Sequence, residues 1–131
     1  MNRDEWGFTI IELLFIILVI SIIVTFVYPL FNDIIERAYD VNLKKTIGSF
    51  RNLMSMYYQD NNKYPDGSYS FYELKDNVLI EYGHLGNIND VIESQNYKSS
   101  NDESKTYELK LVSSKTKKIY IIDQDGVYIT E

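Results

Sequence analysis

The sequence predicts an α+β fold. A long amino-terminal helix, transmembrane in its first half, packs through its second half on a small antiparallel carboxy-terminal sheet of about three strands. Three observations predict it. From Phe8 to Phe31 the chain is apolar apart from one charge, Glu12. Beyond that run Leu43, Ile47, Phe50, Met54 and Tyr57 recur at spacings of four and three, one stripe of an amphipathic helix. The tail from residue 106 reads as strands between turn signals, Thr106–Val112 alternating and Lys118–Ile122 a buried run.

The apolar run comes first in the chain. Leu13 to Phe31 contains fifteen Leu, Ile, Val and Phe residues and no charge. Counted from Phe8 it is about 24 residues long, more than the ~20 a helix needs to cross a ~30 Å hydrocarbon layer. Each of those side chains favours insertion by about 0.3–0.6 kcal/mol, which outweighs the ~2.5–3.5 kcal/mol cost of one carboxylate. No small-x-small pair follows the run, for Phe26-Val27-Tyr28-Pro29-Leu30-Phe31 offers none. The segment is therefore expected to be retained as an anchor. No cation lies near Glu12 in the sequence, so its carboxylate calls for a partner supplied from elsewhere. Snorkelling to the membrane surface is the alternative.

The helix is expected to continue past Pro29, which removes one hydrogen bond to the Thr25 carbonyl. Asp33, Glu36, Arg37, Asp40, Lys44, Lys45 and Arg51 supply its polar face. Gln59 to Gly67 gathers stop and turn residues, so the helix should end near Asp60. At 1.5 Å per residue, Phe8 to Asp60 would span roughly 80 Å.

Between residues 63 and 105 the pattern is irregular. Phe71-Tyr72-Glu73-Leu74 and Asp90-Val91-Ile92-Glu93 suggest short helical turns, and Ser99 to Ser104 reads as a loop. Residues 106–131 then read as a meander. Thr106–Val112, Lys118–Ile122 and Val127–Ile129 are the strands, with Ser113–Thr116 and Asp125-Gly126 as turns. The twelve tyrosines divide between core and intersubunit contact, with core the default.

Composition narrows the chemistry. A net charge of −6 and a pI near 4.8 disfavour direct nucleic-acid binding, which needs cations to displace counterions. Lys115-Thr116-Lys117-Lys118 is the one basic run, and it reads as a solvated turn. The chain has no cysteine, so disulfide scaffolds and thiolate metal sites are excluded. The lone histidine, His84, lies in a glycine-flanked loop with no nucleophile elbow; neither an enzymatic activity nor a cofactor is expected. Asp123, Asp125 and Glu131 fall short of the 6–8 oxygens calcium takes. Asp-x-Asp-Gly is read as hairpin chemistry, with a weak calcium site as the alternative.

Gly7-Phe8-Thr9-Ile10-Ile11-Glu12-Leu13-Leu14, followed by the apolar run with Pro29, resembles the class III signal of type IV pilins and type II secretion pseudopilins. The resemblance covers Gly7 to Pro29 and is weaker beyond, where Tyr64-Pro65 after a polar turn is similar to the helix end of many members. It implies a leader at residues 1–7, cut off by prepilin peptidase between Gly7 and Phe8, and methylation of the new Phe8 amine. It also implies a membrane and filament-core segment at 8–31, an amphipathic half at 32–62, a variable region at 63–105 and a meander at 106–131. Glu12 matches the family's acidic residue and Pro29 its helix-kinking proline. Implied partners are further copies of the chain in a helical filament, the peptidase, an assembly ATPase with its platform protein, and the bilayer before assembly. The implied location is the cytoplasmic membrane, then a cell-surface or periplasm-spanning filament. The leader carries one arginine and two acids where pilin leaders lean basic, and Ser21 stands where many pilins have glycine. Pilus subunit is the preferred reading. A pseudopilin of secretion or DNA uptake, and an unprocessed single-pass protein with a small extracellular binding domain, are the alternatives.

The new α-amine has physical meaning. Such amines have pKa values near 7.7–8.0 and are largely protonated at neutrality. An amine on Phe8 of one subunit meeting Glu12 of the next would neutralise both and fix their register.

Overall fold

The computed structural model describes residues 7–88, 92–99 and 103–130. The chain divides into two compact units between Ile35 and Glu36. The helix α1, Ile10–Asn61, contributes to both.

The first unit is the apolar part of α1. Every side chain from Gly7 to Ile34 is exposed, and the helix is long and apolar enough to cross a membrane.

The second unit has its own core. From α1 come Leu43, Thr46, Ile47, Phe50, Leu53 and Met54, all buried. They occupy the predicted stripe, widened by Thr46 and Leu53, with Tyr57 packed at its margin. The helix ends one residue beyond the expected position. Asn62 takes φ 55°, the left-handed cap geometry that asparagine tolerates, and its N–H donates to Tyr58 O at 2.8 Å.

The sheet has five antiparallel strands in chain order: β1 Ser68–Tyr69, β2 Ile92–Ser99, β3 Tyr107–Ser113, β4 Ile119–Asp123 and β5 Val127–Thr130. The expectation of about three strands is therefore corrected. The last three were legible, β3 from alternation and β4 and β5 as apolar runs between turn signals. The first two were not, because β1 is two residues long and β2 carries Gln95, Asn96 and Lys98 among its residues. What makes β2 a strand is its partner. Gln95 to Ser99 register continuously against Leu111 to Tyr107 of β3, and pairing with a strongly patterned neighbour overrides weak propensity. Ile92 and Glu93 lie in β2 rather than a helical turn, and Ser99 ends that strand instead of opening a loop. Asp90, Val91 and Ser100 to Asp102 lie outside the described residues.

Phe71–Glu73 does form a short helix, α2, which continues into a π-helical turn at Leu74–Val78. Its start is a capping box: Ser70 Oγ accepts from Glu73 N at 3.2 Å, and the Glu73 carboxylate accepts from Ser70 N at 2.8 Å. These bonds hold the Glu73 carboxyl below the usual range. Phe71, Leu74, Leu79, Leu85 and Ile88 from this segment complete the core with Tyr97, Leu109, Leu111, Tyr120 and Ile122 of the sheet. The segment passes close to α1 at Gly83, where a Cβ would stand 2.8 Å from Leu53 Cδ2 and would push that side-chain tip aside.

Aromatic residues organise the upper core. Tyr107 meets Phe50 at 6.0 Å, Tyr64 at 4.7 Å and Tyr97 at 6.1 Å between ring centroids. Tyr97 satisfies its buried hydroxyl by donating to Pro65 O at 3.0 Å.

Candidate functional site

The residues singled out by the sequence, Gly7, Phe8 and Glu12, lie together at the start of α1. Gly7 to Thr9 precede the first helical turn, and all are exposed. A Cβ built on Gly7 meets nothing within 4 Å, and its φ is not in the left-handed range. The fold therefore makes no demand for glycine at this position.

Thr9 is the residue that sequence reasoning passed over. Its Oγ1 accepts from Glu12 N at 3.3 Å and donates to Glu12 Oε2 at 2.8 Å. Thr9 N also donates to Glu12 Oε2, at 2.9 Å. This is a second capping box, the same reciprocal arrangement as Ser70–Glu73. The signal was present, because Thr9-Ile10-Ile11-Glu12 fits the S/T-x-x-E pattern that announces a helix start.

The expectation that Glu12 awaits a partner needs restating in these terms. Its carboxylate already has two donors from Thr9 and sits in the first helical turn, where the helix dipole favours negative charge. What it lacks among the described residues is a cation. The hydrogen bonds position the group without neutralising it. Every atom of the box lies on the carboxy-terminal side of the Gly7–Phe8 bond, so cutting that bond would leave the cap intact. The amine so created would belong to Phe8, the residue directly before the cap.

Beside the carboxylate, Phe8, Ile11, Glu12, Phe15 and Ile16 line a shallow recess of about 390 Å³ on one face of the helix. Phe8 is 77% exposed. A carboxylate flanked by apolar groups gains little from water once that face is covered, and a cation delivered there would be strongly held.

Pro29 lies inside α1, which runs through it. The two preceding turns carry hydroxyls bonded back onto the backbone: Ser21 Oγ to Ile17 O at 2.7 Å, and Thr25 Oγ1 to Ser21 O at 2.9 Å. Residues 21, 25 and 29 thus form one line along the helix, an arrangement that slightly loosens a helix wherever hydroxyls back-bond.

The carboxylates of the tail are engaged in turn structure. Asp123 Oδ1 accepts from Asp125 N and Gly126 N, both at 2.8 Å, and Asp125 accepts from Gln124 Nε2 at 2.9 Å. This is how an aspartate closes a tight turn. Glu131 lies outside the described residues. His84 is exposed in the loop following Gly83.

Comparison with protein-family models, curated proteins and solved structures finds no match to this chain.

Proposed function

We propose that this chain is the structural subunit of a type IV pilus-like filament. It would be held in the membrane by residues 8–31, released from its leader by cleavage between Gly7 and Phe8, methylated on Phe8, and assembled by packing its apolar helix against copies of itself. The observation that carries this reading is the pairing of two features at one helix start. One is an apolar helix whose side chains from Phe8 to Ile34 are all exposed among the described residues. The other is a capped, fixed, un-neutralised carboxylate at Glu12. A filament of such helices would remove the apolar face from lipid and bring each Glu12 to the Phe8 amine of a neighbour. That pair would serve register more than net stability, because desolvating two charges offsets most of their attraction.

The indifference of the fold to Gly7 supports a role in recognition by the leader peptidase. Secretion and DNA-uptake pseudopilins share the same chemistry and form the second reading. Mass spectrometry of the membrane-extracted chain tests the proposal. A mature chain beginning with methylated Phe8, and an uncut chain in the Gly7→Arg variant, are expected. An intact Met1 terminus in wild-type cells that possess a prepilin peptidase would overturn it.

A further inference from the structure

The β3–β4 turn is a strongly basic stretch in an acidic protein. Residues 36–45 and 115–118 together hold six of the chain's 13 basic residues, Arg37, Lys44, Lys45, Lys115, Lys117 and Lys118, but two of its 19 acidic ones, Glu36 and Asp40. Their sum is +4 in a chain whose total is −6. The two stretches are far apart in sequence, and the fold joins them. Lys115 Nζ stands 5.4 Å from the centroid of the Tyr39 ring, a cation–π distance. The Tyr120 hydroxyl donates to Asp40, which also pairs with Lys44 at 2.8 Å and feels Lys118.

The turn is also rigid. Lys117 N donates to Ser113 O at 3.1 Å, Ser113 N to Lys118 O at 2.9 Å, and Thr116 N to Ser113 Oγ at 3.3 Å. Lys117 is held at φ 58°, a conformation a lysine adopts only when its surroundings impose it. Lys115 and Lys117 remain exposed. Ser113 beneath them is buried, so the lysines are carried on an anchored platform rather than a loose loop.

We propose that this turn, with Arg37 and Lys44 on the adjoining helix face, is a contact for anionic lipid headgroups, engaged while the chain is membrane-held. It rests on the anchoring part of the function proposed above. Tyr39, to which the turn is pinned, lies eight residues after Phe31 in the chain. A helix would carry Tyr39 about 12 Å past Phe31. The headgroup layer takes up roughly 5–8 Å of that, which leaves the basic groups within one Debye length, about 8 Å, of a negatively charged surface. The carboxylates on the adjoining helix are Asp33, Glu36 and Asp40, and Asp40 is already engaged by Tyr120 and Lys44. Lipid is favoured over an acidic protein partner by that short chain distance to the anchor.

The absence of cysteine permits a direct test on the full chain. A spin label on Ser114→Cys is measured in vesicles of phosphatidylcholine alone, and with about a third phosphatidylglycerol, each carrying a little lipid with a headgroup-chelated Ni(II). The expected result is at least a threefold higher collision rate with the headgroup nickel in the anionic vesicles. The Lys115→Gln/Lys117→Gln/Lys118→Gln variant should lose it, as should 1 M salt, where the Debye length falls to about 3 Å. An equal rate in both vesicles, or a rise that survives the triple substitution, would overturn the proposal. So would label–label broadening that grows with protein density regardless of lipid charge, which would assign the surface to a second copy. A second label on Ser21→Cys separates the two levels. If it is water-accessible, the anchoring itself fails; if it is lipid-embedded while the turn is indifferent to lipid charge, the headgroup contact alone fails.

Discussion

The two halves of α1 obey opposite rules. Phe15, in the first half, is 66% exposed, whereas Phe50, in the second, is fully buried. Both are large apolar residues in the same helix, so neither helix propensity nor side-chain chemistry distinguishes them. The difference is in what surrounds them. Phe50 sits on a narrow stripe with polar residues on the other faces, and the sheet and α2 cover that stripe. Phe15 belongs to a run that is apolar all round, which no single neighbouring element could cover. A stripe specifies a partner along one side; an all-round apolar surface calls for cover on every side, by lipid or by protein.

The sharpest way to break this comparison is a pair of truncations. Phe50→Ala should destabilise the second unit by about 3–5 kcal/mol, through lost burial and the cavity left behind. Ile16→Ala should leave the same unfolding transition within ~0.5 kcal/mol of wild type. Denaturant titration of the full chain in mild detergent, followed by near-ultraviolet tyrosine dichroism, measures both. A comparable loss from Ile16→Ala would mean the halves are not energetically separate.

Alkaline pH sharpens the contrast more gently, because the second unit buries tyrosines. Burial first, then the neighbouring Tyr64, pushes the Tyr107 hydroxyl up to about 12. Tyr97 and Tyr120 are also raised, chiefly by burial. In the unfolded chain tyrosine titrates near 10. Between these values the unfolded state has released the proton while the folded state still holds it, so stability falls as pH rises. The contribution is whole below about pH 10, and the Tyr107 share is spent by about pH 12. The slope should approach ~1.4 kcal/mol per pH unit for each such tyrosine. Denaturation midpoints at pH 9, 10 and 11 should fall steeply above 10, and less steeply in Tyr107→Phe. A flat profile would show that these hydroxyls reach water.

Much of this was legible in the residues. The stripe from Leu43 to Tyr57 and the strands β3 and β4 follow from patterning, because one face of each is more buried than the other. β5, exposed along its whole length, was legible from its apolar β-formers after the Asp125-Gly126 turn. β2 was not legible. Among its described side chains only Tyr97 is fully buried, so its sequence has no alternation to read, and its conformation comes from β3. At the helix start the sequence pointed to Glu12 by its charge, while its geometry depends on Thr9. The capping motif was visible there, but the cost of a carboxylate in an apolar run drew attention to charge alone. The basic turn was read as solvated because its second half, Arg37 to Lys45, is distant in the chain and is joined to it only by folding.

That helix start poses the central question, since Glu12 serves both as a cap and as a charge. Two substitutions separate the roles. Glu12→Gln keeps an oxygen that can accept from Thr9 N and loses the charge; Thr9→Ala keeps the charge and loses the hydroxyl of the cap. The decisive measurement is the yield of sheared surface filaments from strains expressing each variant at equal membrane levels. The account predicts at least a tenfold loss for Glu12→Gln and near-normal yield for Thr9→Ala. Normal filaments from Glu12→Gln, with failure of Thr9→Ala, would show that the carboxylate matters only for starting the helix and would contradict the account.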